Sequence, residues 1–359
     1  MNRRTFLVVV GATACGGPPR KRAPPAEPEL RGVERPRKEV EAFSWEDSQT
    51  QRSPVAIRDD LLVLSTGNEL WTWDARTMKR MDGYVLPHQH FCFTQDGTLA
   101  VFALPKDPPY CVLHRIDGRG IRETLRGGVF GSHNYYPTHV LPGSSVDEVY
   151  VTKDDALYLM RAIEGRLEEV ATIPIPDATS SNRGQLFSLG DGRLVVPGDN
   201  LHVLQAGKPS ITYLTPGRVL LHMVPATAER IWYSHPRQGF RNADVLVLAK
   251  LATPMVEDKR IDLAPARIVH LASSGHAVAA LLFEYRAGSS PTQPIRQWTV
   301  VVLDENGTTR WRAAVPKEFT PGLVTLNKIG FIAMSEHRVV LFGERPPIAW
   351  DATTGAPIG

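Results

Sequence analysis

From residue 54 to the C terminus, short runs of β-branched and aromatic residues alternate with Gly, Pro, Asp and Asn. No amphipathic helical period is convincing. Tight hairpins need positive φ, and Asp96-Gly97, Asp117-Gly118, Asp191-Gly192 and Asn306-Gly307 supply residues suited to it. The runs collect into groups of three or four strands. Seven groups can be laid out: 54–87, 88–130, 134–177, 184–216, 217–266, 267–319 and 321–359. Each opens with an inner-strand candidate: Val55–Ile57, Phe91–Phe93, Thr138–Val140, Gln185–Phe187, Leu221–Met223, Val269–Leu271 and Leu323–Thr325. A second strand follows, at Leu61–Leu64 in the first group and at Gly330–Met334 in the last.

Four strands per unit at intervals of a few tens of residues is the pattern of propeller blades, and a sandwich would repeat less regularly. The expected fold is therefore all-β, a seven-bladed β-propeller over 52–359, with six or eight blades as alternatives because 217–319 is long. The third strands carry a family resemblance. Leu70–Met78 (LWTWDARTM) and Ile348–Gly355 (IAWDATTG) resemble the end of a WD repeat, and Val301–Trp311 resembles a quinoprotein-type propeller repeat. In each, a strand ends at an Asp and the chain turns. The resemblance implies a propeller but no subfamily. Gly-His, which WD repeats place at blade entry, occurs only as Gly275-His276, inside a turn. The last unit looks incomplete, which makes Ala42–Trp45 a candidate closing strand, since an unpaired sheet edge is a liability.

The first 15 residues read differently. A basic head (Arg3, Arg4), an apolar stretch of about nine residues and small residues before Cys15 form a secretory signal too short to span a bilayer. Arg3-Arg4-Thr5-Phe6-Leu7 resembles the twin-arginine export motif. Arg20-Lys21-Arg22, just past the apolar core, favours the same route. Ala12-Thr13-Ala14-Cys15 resembles a bacterial lipobox, which implies lipidation at Cys15. The same residues also satisfy ordinary signal cleavage. Residues 16–51 are rich in Pro and mixed charge, so they are expected to form a disordered tether reaching roughly 30 Å. The expected localisation is the bacterial cell envelope, periplasmic or at the outer surface, with the membrane engaged through a lipid anchor only.

Charge changes the picture little. The net +3 lies in the leader and tether, and the body from residue 53 carries 31 charges of each sign. No basic excess or stripe points to nucleic acid. There is no phosphate loop, no nucleophile elbow and no Cys pair at zinc spacing, and no cofactor is implied. Cys92 and Cys111 fall in the first and third strands of one unit, too far apart to bond, and are expected to be free buried thiols.

Histidine is the most suggestive residue type. His88, His90, His133, Tyr135 and Tyr136 fall where two blades begin, so they could form a ligand or metal site at the channel mouth. Solvated loop polarity is the plainer reading. His139, His222 and His270 fall at the same place in three inner strands, which reads as packing. Trp71 and Trp73 are taken to alternate across one strand, leaving one outward as a possible partner anchor. The reading that results is a monomeric, non-catalytic scaffold for a protein or a cell-envelope polymer. A metal-dependent lyase or hydrolase at the channel mouth is the alternative.

Overall fold

The computed structural model describes residues 55–358 except 66–68, 86–88, 104–110, 118–119, 128–138, 154–155, 177–185, 198–199, 216–221, 237–242, 286–295, 317–331 and 343–346. Cys15, the tether and Ala42–Trp45 thus lie outside the described residues. Those described hold 28 strands and no helix.

The strands run in sequence order as seven antiparallel four-stranded blades. Blade 1 is β1 (Val55–Arg58), β2 (Leu61–Ser65), β3 (Glu69–Asp74) and β4 (Lys79–Val85). Blade 2 is β5 (Gln89–Phe93), β6 (Leu99–Ala103), β7 (Val112–Asp117) and β8 (Gly120–Gly127). Blade 3 is β9 (His139–Pro142), β10 (Glu148–Lys153), β11 (Ala156–Ile163) and β12 (Arg166–Pro174). Blade 4 is β13 (Phe187–Ser188), β14 (Leu194–Pro197), β15 (Leu201–Leu204) and β16 (Ile211–Tyr213). Blade 5 is β17 (Met223–Thr227), β18 (Arg230–Pro236), β19 (Ala243–Lys250) and β20 (Val256–Asp262). Blade 6 is β21 (Arg267–Ser273), β22 (Ala277–Tyr285), β23 (Arg296–Asp304) and β24 (Thr309–Ala314). Blade 7 is β25 (Ile332–Met334), β26 (Arg338–Leu341), β27 (Ile348–Asp351) and β28 (Pro357–Ile358).

The first strands meet in a closed ring, β1 to β5, β9, β13, β17, β21, β25 and back to β1. The fold is a seven-bladed β-propeller.

Every blade is buried on both faces, and this explains the sequence. Side chains alternate across a strand, so neighbours along one strand enter opposite seams. On β22, Ala277, Ala279, Leu281 and Phe283 pack against blade 7, whereas Val278, Ala280 and Leu282 pack against blade 5. A strand buried twice reads as one unbroken apolar run. The core is accordingly divided into seven clusters, one per seam, including one that joins blade 7 to blade 1.

Four expectations need correction. The last unit is not incomplete, because β28 supplies its outer strand. Within it Ile332–Met334 is the first strand, not the second, and Leu323–Thr325 lies outside the described residues. In blade 5 the inner strand begins at Met223, later than Leu221–Met223 implies. Trp71 and Trp73 do not diverge. Residues two apart share a face, and both are buried on the seam with blade 7, with Arg80 5.0 Å from the Trp71 ring centre.

Cys92 and Cys111 are buried and not joined in a disulfide, and burial pushes the Cys111 thiol up to about 11. Blades 2 and 3 are also stitched at their outer edges, where β8 and β12 pair in parallel through Arg126–Arg166 and Gly127–Leu167.

Candidate functional site

A blade can recognise a ligand only with what its seams leave free, so the turns and the axis decide what is available. Turns between first and second strands lie on one face and are braced from blade to blade. Arg58 donates to the Thr94 and Gln95 carbonyls at 2.6 and 2.5 Å. The Gln95 amide donates to Ser144 O at 2.9 Å and reaches Gly190 O, two blades on, at 3.4 Å. Arg193 donates to Ala228 O at 2.6 Å, and the Ser335 hydroxyl donates to Asp59 O at 3.2 Å, linking blade 7 back to blade 1.

The third-strand aspartates fasten the turns that follow them. Asp351 accepts from the Thr353 and Thr354 amides, and Asp304 from those of Asn306 and Thr308.

Two structures on this scaffold could carry chemistry. The first is the set of inner-strand histidines. Counted from the turn, His90, His139 and His270 all sit in the fourth cross-strand pair, opposite Phe102, Thr152 and Leu281. His222 is not at that level. The ladder of its blade starts at Thr227, five residues on, and even with the bulge between Pro225 and Thr227 His222 stands one pair further, against Ser234. Burial lowers His222 from 6.5 to about 4. Burial, with His222 nearby, lowers His270 to about 3.

Both rings are therefore neutral near pH 7. A histidine whose folded value is depressed takes up its proton more readily once unfolded, so stability falls as pH drops below about 6.5 and levels off only below the folded values. Thermal melts between pH 7 and 4 should show a steady loss, and the loss should be shallower in His270→Gln. Parallel curves for the two proteins would exclude this assignment.

Of the residues expected at the channel mouth, only His90 is described, half-buried on β5. His88, His133, Tyr135 and Tyr136 lie outside the described residues. Among the described residues no group of three or more His, Cys, Asp or Glu is placed to hold a metal ion.

The second structure is a recess of about 440 Å³ on the turn face between blades 2 and 3, lined by Asp96, Thr98, Arg115, Arg122, Glu123, Val146 and Asp147. Arg115 on β7 is its hinge. One Nη donates to Glu123 at 3.0 Å, and the other to Asp147 at 2.9 Å and Val146 O at 3.1 Å. Asp96 is tied into its own turn by the Thr94 hydroxyl and by the amide and hydroxyl of Thr98. Burial alone would raise that carboxyl, but the donated bonds prevail and hold it below the usual carboxylate range.

A one-residue bulge places Arg122 between Ile121 and Glu123, which pair with Ile116 and Arg115. Bulges of this kind re-aim side chains, and here both Arg122 and Glu123 line the recess. Sequence reasoning missed these residues, because neither the bulge nor the 32-residue gap between Arg115 and Asp147 leaves a local mark.

No family model matches the chain, and no curated protein matches it. Solved structures do. The β-propeller domain of Cps50 (Swd1) from Myceliophteria thermophila has a TM-score of 0.52 at 12% identity, over 83% of this chain and 96% of that one. A Kluyveromyces lactis Hsv2 with loop 6CD replaced by a Gly-Ser linker gives 0.52 at 11%, over 83% and 92%. Hsv2 of Kluyveromyces marxianus gives 0.50 at 12%, over 83% and 92%. At such identities the likeness is one of fold.

Proposed function

We propose that the chain is an exported, lipid-anchored β-propeller that serves as a non-catalytic scaffold for a protein or a cell-envelope polymer. One observation carries the binding part. Both faces of every blade are consumed by seams, and the turn face is braced by hydrogen bonds from blade 7 through blade 1 to blade 5, so the molecule offers a rigid body with its remaining polar surface at turns and edges. A preorganised body of this kind orders little when it binds. The export and anchoring part stands on Arg3-Arg4, the apolar stretch and Ala12–Cys15.

The test expresses the full chain in a bacterium fed radioactive palmitate, then separates membranes and cross-links the envelope. The reading expects label and membrane association that both disappear in Cys15→Ala, and a discrete cross-linked partner on the propeller. A mature chain that keeps its first 15 residues would remove the anchor. A propeller that cross-links to nothing in intact envelopes would remove the scaffold.

A further inference from the structure

Three seams are plugged in one manner: the outer strand of one blade lays a long side chain over the turn glycine of the next. The Tyr84 hydroxyl lies 3.8 Å from where a Cβ on Gly120 would stand. Lys259 and Ile261 close on Gly307, and the Trp311 ring lies 2.8 Å from where a Cβ on Gly355 would stand, with its indole N–H donating to Ala352 O at 2.9 Å.

The seam between blades 2 and 3 lacks such a plug. Its counterpart of Trp311, the residue just past the outer-strand bulge, is Glu123. Arg115 holds that carboxylate back. The matching turn glycine, Gly165 at φ +75°, has nothing within 4 Å of a would-be Cβ. Gly207 on the next seam is equally bare, but the residue that would cover it, Ala171, brings no charge.

The charges around the unplugged seam are unequal in their commitments. Asp96 is spent within its turn. Arg115 is shared between Glu123 and Asp147, so that trio keeps one net negative charge and spare carboxylate oxygens. Arg122 is exposed and has no carboxylate partner among the described residues. Blade 2 thus offers an uncommitted guanidinium beside Glu123, and blade 3 sets Asp147 across the seam, with Val146 exposed at the rim. The volume falls in the range of small-molecule sites, which is about 300–1,000 Å³.

The geometry points to this recess as a binding site for a small zwitterion of amino-acid or dipeptide size, with its carboxylate on Arg122 and its ammonium between Glu123 and Asp147. A guanidinium grips a carboxylate through two parallel hydrogen bonds, and an ammonium with three donors suits two carboxylates. The assignment goes beyond the scaffold reading and needs only the fold, so a missing envelope partner leaves it intact.

Titration calorimetry on the full chain tests it with the dipeptide Ala-Ala, its N-acetyl form and its C-terminal amide, beside a panel of free amino acids. Saturable binding by a free zwitterion is expected, weakened at least tenfold by blocking either end. Arg122→Ala should cost a similar factor with an unchanged melting temperature, since the side chain is exposed. Val146→Trp should close the recess and abolish the signal. No saturable binding across the panel overturns the proposal, as do equal affinities for blocked and free forms or an unaltered affinity in Arg122→Ala.

Discussion

Trp232→Ala is expected to lower the stability of the propeller by about 3–5 kcal/mol, the cost of emptying a fully buried indole position. Trp232 on β18 is 1% exposed and lies in the seam between blades 5 and 6, among Leu246, Leu248, Ile268, Leu271 and Leu282. The neighbours belong to three strands of two sheets, so no single side chain can relax into the void. Domains of ordinary stability hold roughly 5–15 kcal/mol in all, which makes this a large share. Denaturant titration should show a lower midpoint with an unchanged slope, because the surface exposed on unfolding is nearly the same. A shift worth under about 1 kcal/mol would mean that this seam is not packed as described.

A smaller substitution in atoms should come close to it in effect. Gly127→Ala adds one methyl at the outer stitch of blades 2 and 3. Its Cβ would stand 2.3 Å from Cys111 Sγ and 2.9 Å from the Leu167 carbonyl oxygen. Neither can step aside cheaply. Cys111 is fully buried, and Leu167 is held by the parallel pairing that Gly127 itself makes. Overpacking of this kind costs about 1–3 kcal/mol. The parallel pair should open, and the Cys111 thiol, shielded and hard to ionise in the native protein, should react with a thiol reagent many times faster. Unchanged labelling together with unchanged stability would show that β8 and β12 do not meet.

Much of the architecture was open to sequence reasoning, for a reason visible in β22. Its run Ala277–Phe283 is apolar throughout because it serves two seams, and such runs punctuated by turn glycines count blades directly. The glycines of Asp96-Gly97, Asp191-Gly192 and Asn306-Gly307 all carry positive φ, as their dipeptides imply. Reading failed where two runs were equally apolar. Nothing local distinguishes Leu323–Thr325 from Ile332–Met334 as an inner strand, and only tertiary pairing with β26 selects the latter.

The histidine level failed for another reason. Spacing cannot reveal where the ladder begins: β17 first pairs at Thr227, and even the bulge at Pro225–Thr227 leaves His222 one pair beyond the others. The recess was invisible for a third reason, since it is assembled from two turns, a bulge and an arginine that belong to different blades.

The junction of blades 7 and 1 has a mechanical consequence. Among the described residues no sheet is shared across it; the ring is shut there by apolar side chains such as Trp71, Trp73, Val340 and Phe342 and by the Ser335–Asp59 contact. A force applied to the chain ahead of Val55 would enter at β1, on the innermost edge of a blade, where among the described residues it pairs only with β2. Tension would peel that hairpin hydrogen bond by hydrogen bond, whereas parting blades 2 and 3 would also have to break the parallel β8–β12 ladder.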